Sequence, residues 1–241
     1  MTLVQADLSQ AELRVMAALS GDKWMLNALQ EGQGDFFDSH MMPICFPQVD
    51  LLGLSPVDHK EFRTKVKTVQ YGLAFGRQAM AIGIELGISV HEAQDIIDNY
   101  LNTAQEFALW REDVMAAATD ESKRDFLVSP FGRRFQSEVI TKKNKSNVER
   151  EALSFLPQST ASDICLTTAI RVHPVIKSEY NSHIVSLVHD AILVECPNPV
   201  VANEVGKMIQ KEFRKTGEMV FGDLVPFLSA YDVGDSWGAL S

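Results

Sequence analysis

Two aspartates, one row of cations and aromatics, and one polar triad carry the chemistry readable from this sequence. Asp7 opens the run Asp7-Leu-Ser-Gln-Ala-Glu-Leu-Arg14, and Asp190 lies in Val188-His189-Asp190-Ala191. Carboxylates are hard oxygen donors, and two of them suffice for two Mg²⁺ ions when substrate phosphates complete the coordination. Each aspartate alone also has a plain structural reading. Ser9 with Glu12 fits a helix capping box, and Asp is an ordinary residue for a hairpin turn.

The row is Arg63-x₃-Lys67-x₃-Tyr71-x₃-Phe75-Gly76. On a helix these four side chains fall at about 0°, 40°, 80° and 120°, a single face. Phe62, Val66, Val69 and Leu73 fall at roughly 240–300° and form the apolar stripe that should meet the core. Cations one turn apart suit a triphosphate, and aromatics further along suit stacking on a base or sugar. An ordinary amphipathic helix would explain the stripe but not two aromatics on its polar side. The triad is Arg150-x₃-Ser154-x₃-Gln158. Spacing puts Arg150 and Ser154 on one helical face, and Pro157 is expected to break that helix before Gln158. Such side chains suit contacts to a nucleic-acid minor groove.

These residues need elements to hold them. A strand over 3–6 is expected to end at Asp7, with a helix from Ser9 to about Leu19 closed by Gly21. Residues 35–57, with Pro43, Pro47, Gly53 and Pro56, read as irregular. Helices are expected at about 58–80, 90–118 and 160–171, and a strand and turn over Phe126 to Phe135. Two β-type runs, Ile184–Val188 and Ile192–Glu195, flank His189-Asp190 and predict a hairpin. A helix over about 198–215 and a strand near Phe227 to Tyr231 complete an α+β arrangement.

Composition bounds the rest. The 241 residues are 46% hydrophobic and 22% charged, enough for a sizeable core. The net charge of −10 argues against a nucleic-acid binder, but its distribution does not. Residues 60–77 and 133–150 each carry +4, leaving −18 for the remainder. Local concentration of positive charge governs attraction of a polyanion. Cys45, Cys165 and Cys196 are an odd, widely spaced set with no C-x-x-C pair, which argues against a disulfide framework or a zinc knuckle. No apolar run approaches the roughly 18 residues of a membrane span, and residues 1–7 lack a signal-peptide layout. A reducing, cytoplasmic setting is expected, with no membrane partner.

Taken in order, these segments resemble family A DNA polymerases, the bacterial DNA polymerase I type. The family's motif A, D-Y-S-Q-I-E-L-R, is similar to D-L-S-Q-A-E-L-R from Asp7. Its motif B, R-x₃-K-x₇-Y-G, matches Arg63 to Gly76 with Phe75 in the tyrosine's place. Its motif C, H-D-E, matches His189-Asp190-Ala191. Phe131-Gly-Arg133-Arg134 and Gln158-Ser-Thr-Ala-Ser-Asp163 resemble segments near the primer–template.

The resemblance implies a right-hand palm, an antiparallel sheet with flanking helices, plus mostly helical fingers, with the thumb absent. It implies palm over 1–22 (motif A), fingers over 23–125 with the motif B helix at about 58–80, and palm again over 126–241. The implied reaction is two-metal nucleotidyl transfer from a dNTP to a primer 3′-hydroxyl, with Mn²⁺ able to replace Mg²⁺. Asp7 and Asp190 would hold the metals, and Lys67 would assist the leaving pyrophosphate. Arg63, Lys67, Tyr71, Phe75, Gln10 and Glu12 would form the nucleotide site, with Glu12 as the gate against a 2′-hydroxyl. Arg133, Arg134, Arg150, Ser154, Gln158 and His189 would contact DNA.

Four departures stand out. Phe75 lacks a hydroxyl for Glu12, Tyr71 replaces a phenylalanine, Ala191 removes the second motif C carboxylate, and Leu8 and Ala11 alter packing around motif A. Because few residues precede Asp7, a missing N-terminal thumb and exonuclease portion, or a separate chain, is an expected partner beside primer–template DNA and dNTPs. Tyr71 and Ala191 point to a phage-encoded protein in a bacterial cell. A catalytically impaired nucleic-acid-binding remnant and a single-subunit RNA polymerase are the alternatives, the latter opposed by a Glu gate that makes sense only for excluding ribose.

Overall fold

The structure, a computed structural model, describes residues 1–120, 122 and 127–240. It divides into two compact units, Met1–Val15 with Pro157–Ser241, and Met16–Leu156. These divisions differ in position from the palm–fingers divisions expected after residues 22 and 125; Asp125 and Phe126 lie outside the described residues.

The first unit is built on a four-stranded antiparallel sheet in the order β2-β3-β1-β4. Strand β1 (Thr2–Leu8) is central, β2 (His183–Val188) and β3 (Ala191–Cys196) form a hairpin, and β4 (Ser229–Gly234) closes the other edge. Strand alternation decides which face is covered. Thr2, Val4, Ala6 and Leu8 are buried, whereas Asp7 is exposed. Ala6 pairs with Tyr231, and Tyr231 packs beneath Gly206 of the long helix α9 (Pro199–Phe221). The even face of β1 therefore meets α9 and Asp7 turns to the other. A Cβ at Gly206 would stand 2.5 Å from the Tyr231 ring, and one at Gly217 2.2 Å from Phe227, so α9 seats this closely only because both positions lack a side chain. Val205, Ile209 and Phe213 are fully buried in this layer, each worth about 1.5–3 kcal/mol of burial.

Strand β1 is longer than expected, so Asp7 lies within it rather than just past its end. Helix α1 (Ala11–Ser20) follows and stops at Gly21, whose φ of 66° is left-handed. The capping-box expectation is not met: the Ser9 N–H donates to Leu228 O at 2.8 Å, and the helix begins two residues later.

The second unit is mainly helical. Helix α2 (Lys23–Ala28), unforeseen in the sequence, is capped by Asp22, which accepts from the Met25 N–H. Residues 35–57 are not irregular as expected. They hold a π-helical turn (Phe36–Met41), the short α3 (Met42–Cys45) and a 3₁₀ turn (Leu51–Gly53). Pro43 and Pro56 open helices here instead of breaking them, because a first-turn position needs no N–H. Helix α4 (Pro56–Ala74) is N-capped by Ser55 and ends earlier than expected, at Ala74, two residues before Gly76 with its φ of 72°. A separate α5 (Ala79–Leu86) follows, and the expected 90–118 helix is two, α6 (Val90–Thr103) and α7 (Gln105–Thr119), divided at Ala104. Over 127–135 only an isolated bridge, Val128 with Arg134, replaces the expected strand.

The largest correction is α8 (Lys145–Glu179), 35 residues long with Pro157 and Pro174 inside it. Pro157 was expected to end a helix. An interior proline costs about 3 kcal/mol. Burial of Leu153, Leu156, Ala161, Ile164, Ala169, Val172 and Ile176 along α8 outweighs that cost. Helix α9 and strand β4 also extend further than expected, to Phe221 and Gly234.

Candidate active site

In the first unit the β2–β3 hairpin brings Asp190 to Asp7. The connection is only His189-Asp190, and His189 takes the left-handed φ of 56° that His tolerates better than most side chains. Asp7 pairs with Ala191, the next residue, and the Leu8 N–H donates to Asp190 O at 3.3 Å. The two carboxyl groups lie close enough to act on each other directly. Asp7 is exposed on its face of the sheet, yet neighbouring atoms partly desolvate its carboxyl; that desolvation, then the negative charge of Asp190, pushes it up to about 6, against the opposing pull of His189 and the Leu8 amide.

Glu12 on α1 belongs to the same group. Burial and then Asp190 raise its carboxyl, while a hydrogen bond from Gln158 on α8 acts the other way. Gln10, with φ 57°, forms the bend between β1 and α1. Because α8 continues through Pro157, Gln158 reaches this group from a helix rather than a loop. Cys165, seven residues on and so on the same helical face, lies close enough for both aspartates to act on it. Its thiol is pushed up to about 12, mainly by burial, and stays uncharged. Sequence reading missed it; the helical spacing from Gln158 is the signal that would have found it.

Among the described residues no set of three or more His, Cys, Asp or Glu side chains surrounds one point. Two adjacent carboxylates that resist sharing negative charge nevertheless fit a hard divalent cation that leaves coordination places to substrate oxygens.

The second unit carries the cationic row. Val66, Val69 and Leu73 are buried as their stripe requires, and Arg63, Lys67, Tyr71 and Phe75 are half-buried along the other side of α4. Tyr71 and Phe75 stack with ring centroids 6.2 Å apart. Phe37, absent from the sequence-based candidates, underlies the row. Its ring lies 5.6 Å from the Arg63 guanidinium, 5.4 Å from Lys67 Nζ and 6.1 Å from the Tyr71 ring. Asp35 and Asp38 pair with Arg63 at 2.8 and 3.0 Å.

Arg150 packs over Gly76 at the end of α4 and hydrogen-bonds Asn147; Ser154, one turn on, donates to Glu151 O. Arg133 and Arg134 are exposed in a separate turn, joined to α8 by Phe135 against Phe155 at 5.5 Å.

The sequence profile of DNA polymerase family A matches residues 1–239. DNA polymerase I of Thermus aquaticus is 28% identical across 98% of this chain and 27% of its own length. That of Chloroflexus aurantiacus is 30% identical across 99% of this chain and 24% of its own. The chain thus spans about a quarter of these curated relatives. Among solved structures, the POL domain of Pol1 from M. smegmatis, in complex with DNA primer-template and dNTP, superposes with a TM-score of 0.85. It is 27% identical, over all of this chain and 40% of that one. The mixed helical and antiparallel-sheet architecture agrees with that neighbour, and this chain belongs to DNA polymerase family A.

Proposed function

We propose that this chain performs template-directed DNA synthesis, transferring a nucleotidyl group from a dNTP to a primer 3′-hydroxyl. The single observation that carries the reading is the carboxyl pair of Asp7 and Asp190 in a chain of this family. The pair would hold two Mg²⁺ ions, with Mn²⁺ an acceptable substitute. The chemistry such ions supply is activation of the attacking hydroxyl and neutralisation of phosphate charge.

The remaining steps fall to the chain's own side chains. Arg63 and Lys67, one turn apart on α4, would bind the triphosphate. Lys67 would also give a proton to the departing pyrophosphate. Tyr71 and Phe75, already stacked, offer a flat apolar surface to the base and sugar. Glu12, fixed by Gln158, would crowd a ribose 2′-hydroxyl, with Gln10 beside it in the bend. His189, Gln158, Arg150 and Ser154 would contact the primer–template, and exposed Arg133 and Arg134 would neutralise its phosphates. The region 1–22 with 126–241 would act as palm and 23–125 as fingers, within a larger polymerase assembly.

Ala191 supports a second reading, a catalytically impaired DNA-binding remnant, because it puts a methyl group directly opposite Asp7. Primer extension with Mg²⁺ and deoxynucleotides separates the two. Extension that favours deoxy- over ribonucleotides and disappears in Asp7→Ala establishes the polymerase. DNA binding without extension by the folded chain leaves the remnant or a polymerase that needs the rest of its assembly.

A further inference from the structure

The half-buried face of α4 is neutral before any ligand arrives. Arg63 and Lys67 supply two positive charges over the Phe37 ring, and Asp35 and Asp38 return two negative ones from the π-helical segment before α4. Each contact has a distinct form. Asp35 divides its oxygens: Oδ1 accepts the Phe37 and Asp38 N–H groups at 3.0 and 3.1 Å, and Oδ2 accepts from Arg63 Nη2 at 2.8 Å. Asp38 Oδ1 lies 3.0 Å from Arg63 Nε, yet it is buried and accepts no aligned hydrogen bond. The Arg63 guanidinium is its ion-pair partner. Two carboxylates and one aromatic face thus hold Arg63 in place.

We infer that Asp35 and Asp38 are internal counter-ions of Arg63 that a nucleoside triphosphate must displace, so that they set the affinity threshold of the nucleotide site. The inference rests on the assignment of Arg63 to the triphosphate made above. A polyphosphate approaching Arg63 meets two carboxylates of its own sign, and binding is an exchange of anions rather than capture by an open cation. The exchange has a structural consequence. Once Arg63 turns to phosphate, the partly exposed Asp38 loses this ion pair, and its buried Oδ1 is left without a hydrogen bond, a state that rehydration relieves. Opening of the segment Phe36–Met41 would admit that water. A π-helical turn, with its weaker ladder, is suited to that. Asp35 and Asp38 are positioning residues in this scheme: they act on the substrate through Arg63.

Calorimetric titration of the full chain with inorganic tripolyphosphate and with dATP tests this. The forms compared are wild type, Asp35→Asn, Asp38→Asn and the double variant, each also carrying Arg63→Ala. Asparagine at 35 retains the capping oxygen while removing the charge. The double variant should bind tripolyphosphate tighter by on the order of 10-fold, with a steeper salt dependence, as expected for two half-exposed ion pairs. Arg63→Ala should erase that gain. Amide exchange in Phe37–Met41 should quicken on ligand binding only where Arg63 is present. Equal or weaker binding by the folded Asn variants overturns the inference, as does a gain that survives Arg63→Ala. No polyphosphate binding by any form would instead remove the assignment of Arg63, and the inference with it.

Discussion

Asp190 stands beside Asp7 where β1 passes the β2–β3 turn: Asp7 is the cross-strand partner of Ala191, the next residue, and the charge of Asp190 acts directly on the Asp7 carboxyl. That relation makes the site costly at neutral pH. The Asp7 carboxyl is raised from 3.8 to about 6, first by partial desolvation and then by Asp190. Between those values the folded chain binds more protons than the unfolded one. The stabilising contribution of Asp7 is complete below about 3.8 and is lost as pH rises through about 6.

Asp7→Asn should therefore stabilise the chain at pH 7.5 without divalent ions, by about 1 kcal/mol after allowance for the exposure of Asp7. The gain should vanish near pH 4. Urea unfolding in chelator at the two pH values measures it; equal shifts at both would remove charge repulsion as the cause.

Ala191 is the cross-strand neighbour of Asp7 and is almost wholly buried. Ala191→Glu should place a third carboxylate beside the pair and destabilise the chelated protein by about 1–3 kcal/mol. Its melting temperature should then rise more on adding Mn²⁺ than that of the wild type. Thermal melts with and without the ion decide the matter, and identical responses would mean the new side chain turns away.

Glu12 is held by Gln158 within reach of Asp190's charge. Glu12→Ala should raise ribonucleotide relative to deoxynucleotide incorporation by on the order of 10-fold or more, because a steric exclusion is removed. Single-nucleotide extension with paired rNTP and dNTP reads the ratio. A ratio unchanged from wild type would move the discrimination elsewhere.

Gly217→Ala should cost about 1–3 kcal/mol, the usual penalty of overpacking, since its Cβ would stand 2.2 Å from a Phe227 ring atom. Chemical denaturation gives the value, and Phe227→Leu in the same chain should restore part of it. No rescue would indicate that the helix itself, rather than the contact, resists the methyl group.

What could be read beforehand divides along physical lines. The apolar stripe of α4 and the β-runs around His189-Asp190 are local periodic signals, and the corresponding elements are present with shifted ends. Residues 35–45 were illegible because a π-turn has no familiar period and Pro43 opens a helix there. The length of α8 was illegible because burial along its whole course overrides the local preference of Pro157. The Asp35 and Asp38 contacts to Arg63 join elements 25 or more residues apart in sequence, and no spacing rule announces such a pair. Gln158 was singled out for its polarity alone; its contact with Glu12 depends on the helix that Pro157 was expected to end.

The state of the three thiols opens an experimental route. Cys45, Cys165 and Cys196 are all buried, and burial pushes the first two up to about 12 and the third upward as well. Thiolate is the species that reacts with maleimides, so the native sulfurs are poor competitors for a dye. A single cysteine introduced at an exposed position of α4, such as Thr64, can be labelled in the otherwise natural sequence. Fluorescence from that one position would follow α4 in real time as polyphosphate binds, without first stripping the protein of the sulfur atoms that fill its core.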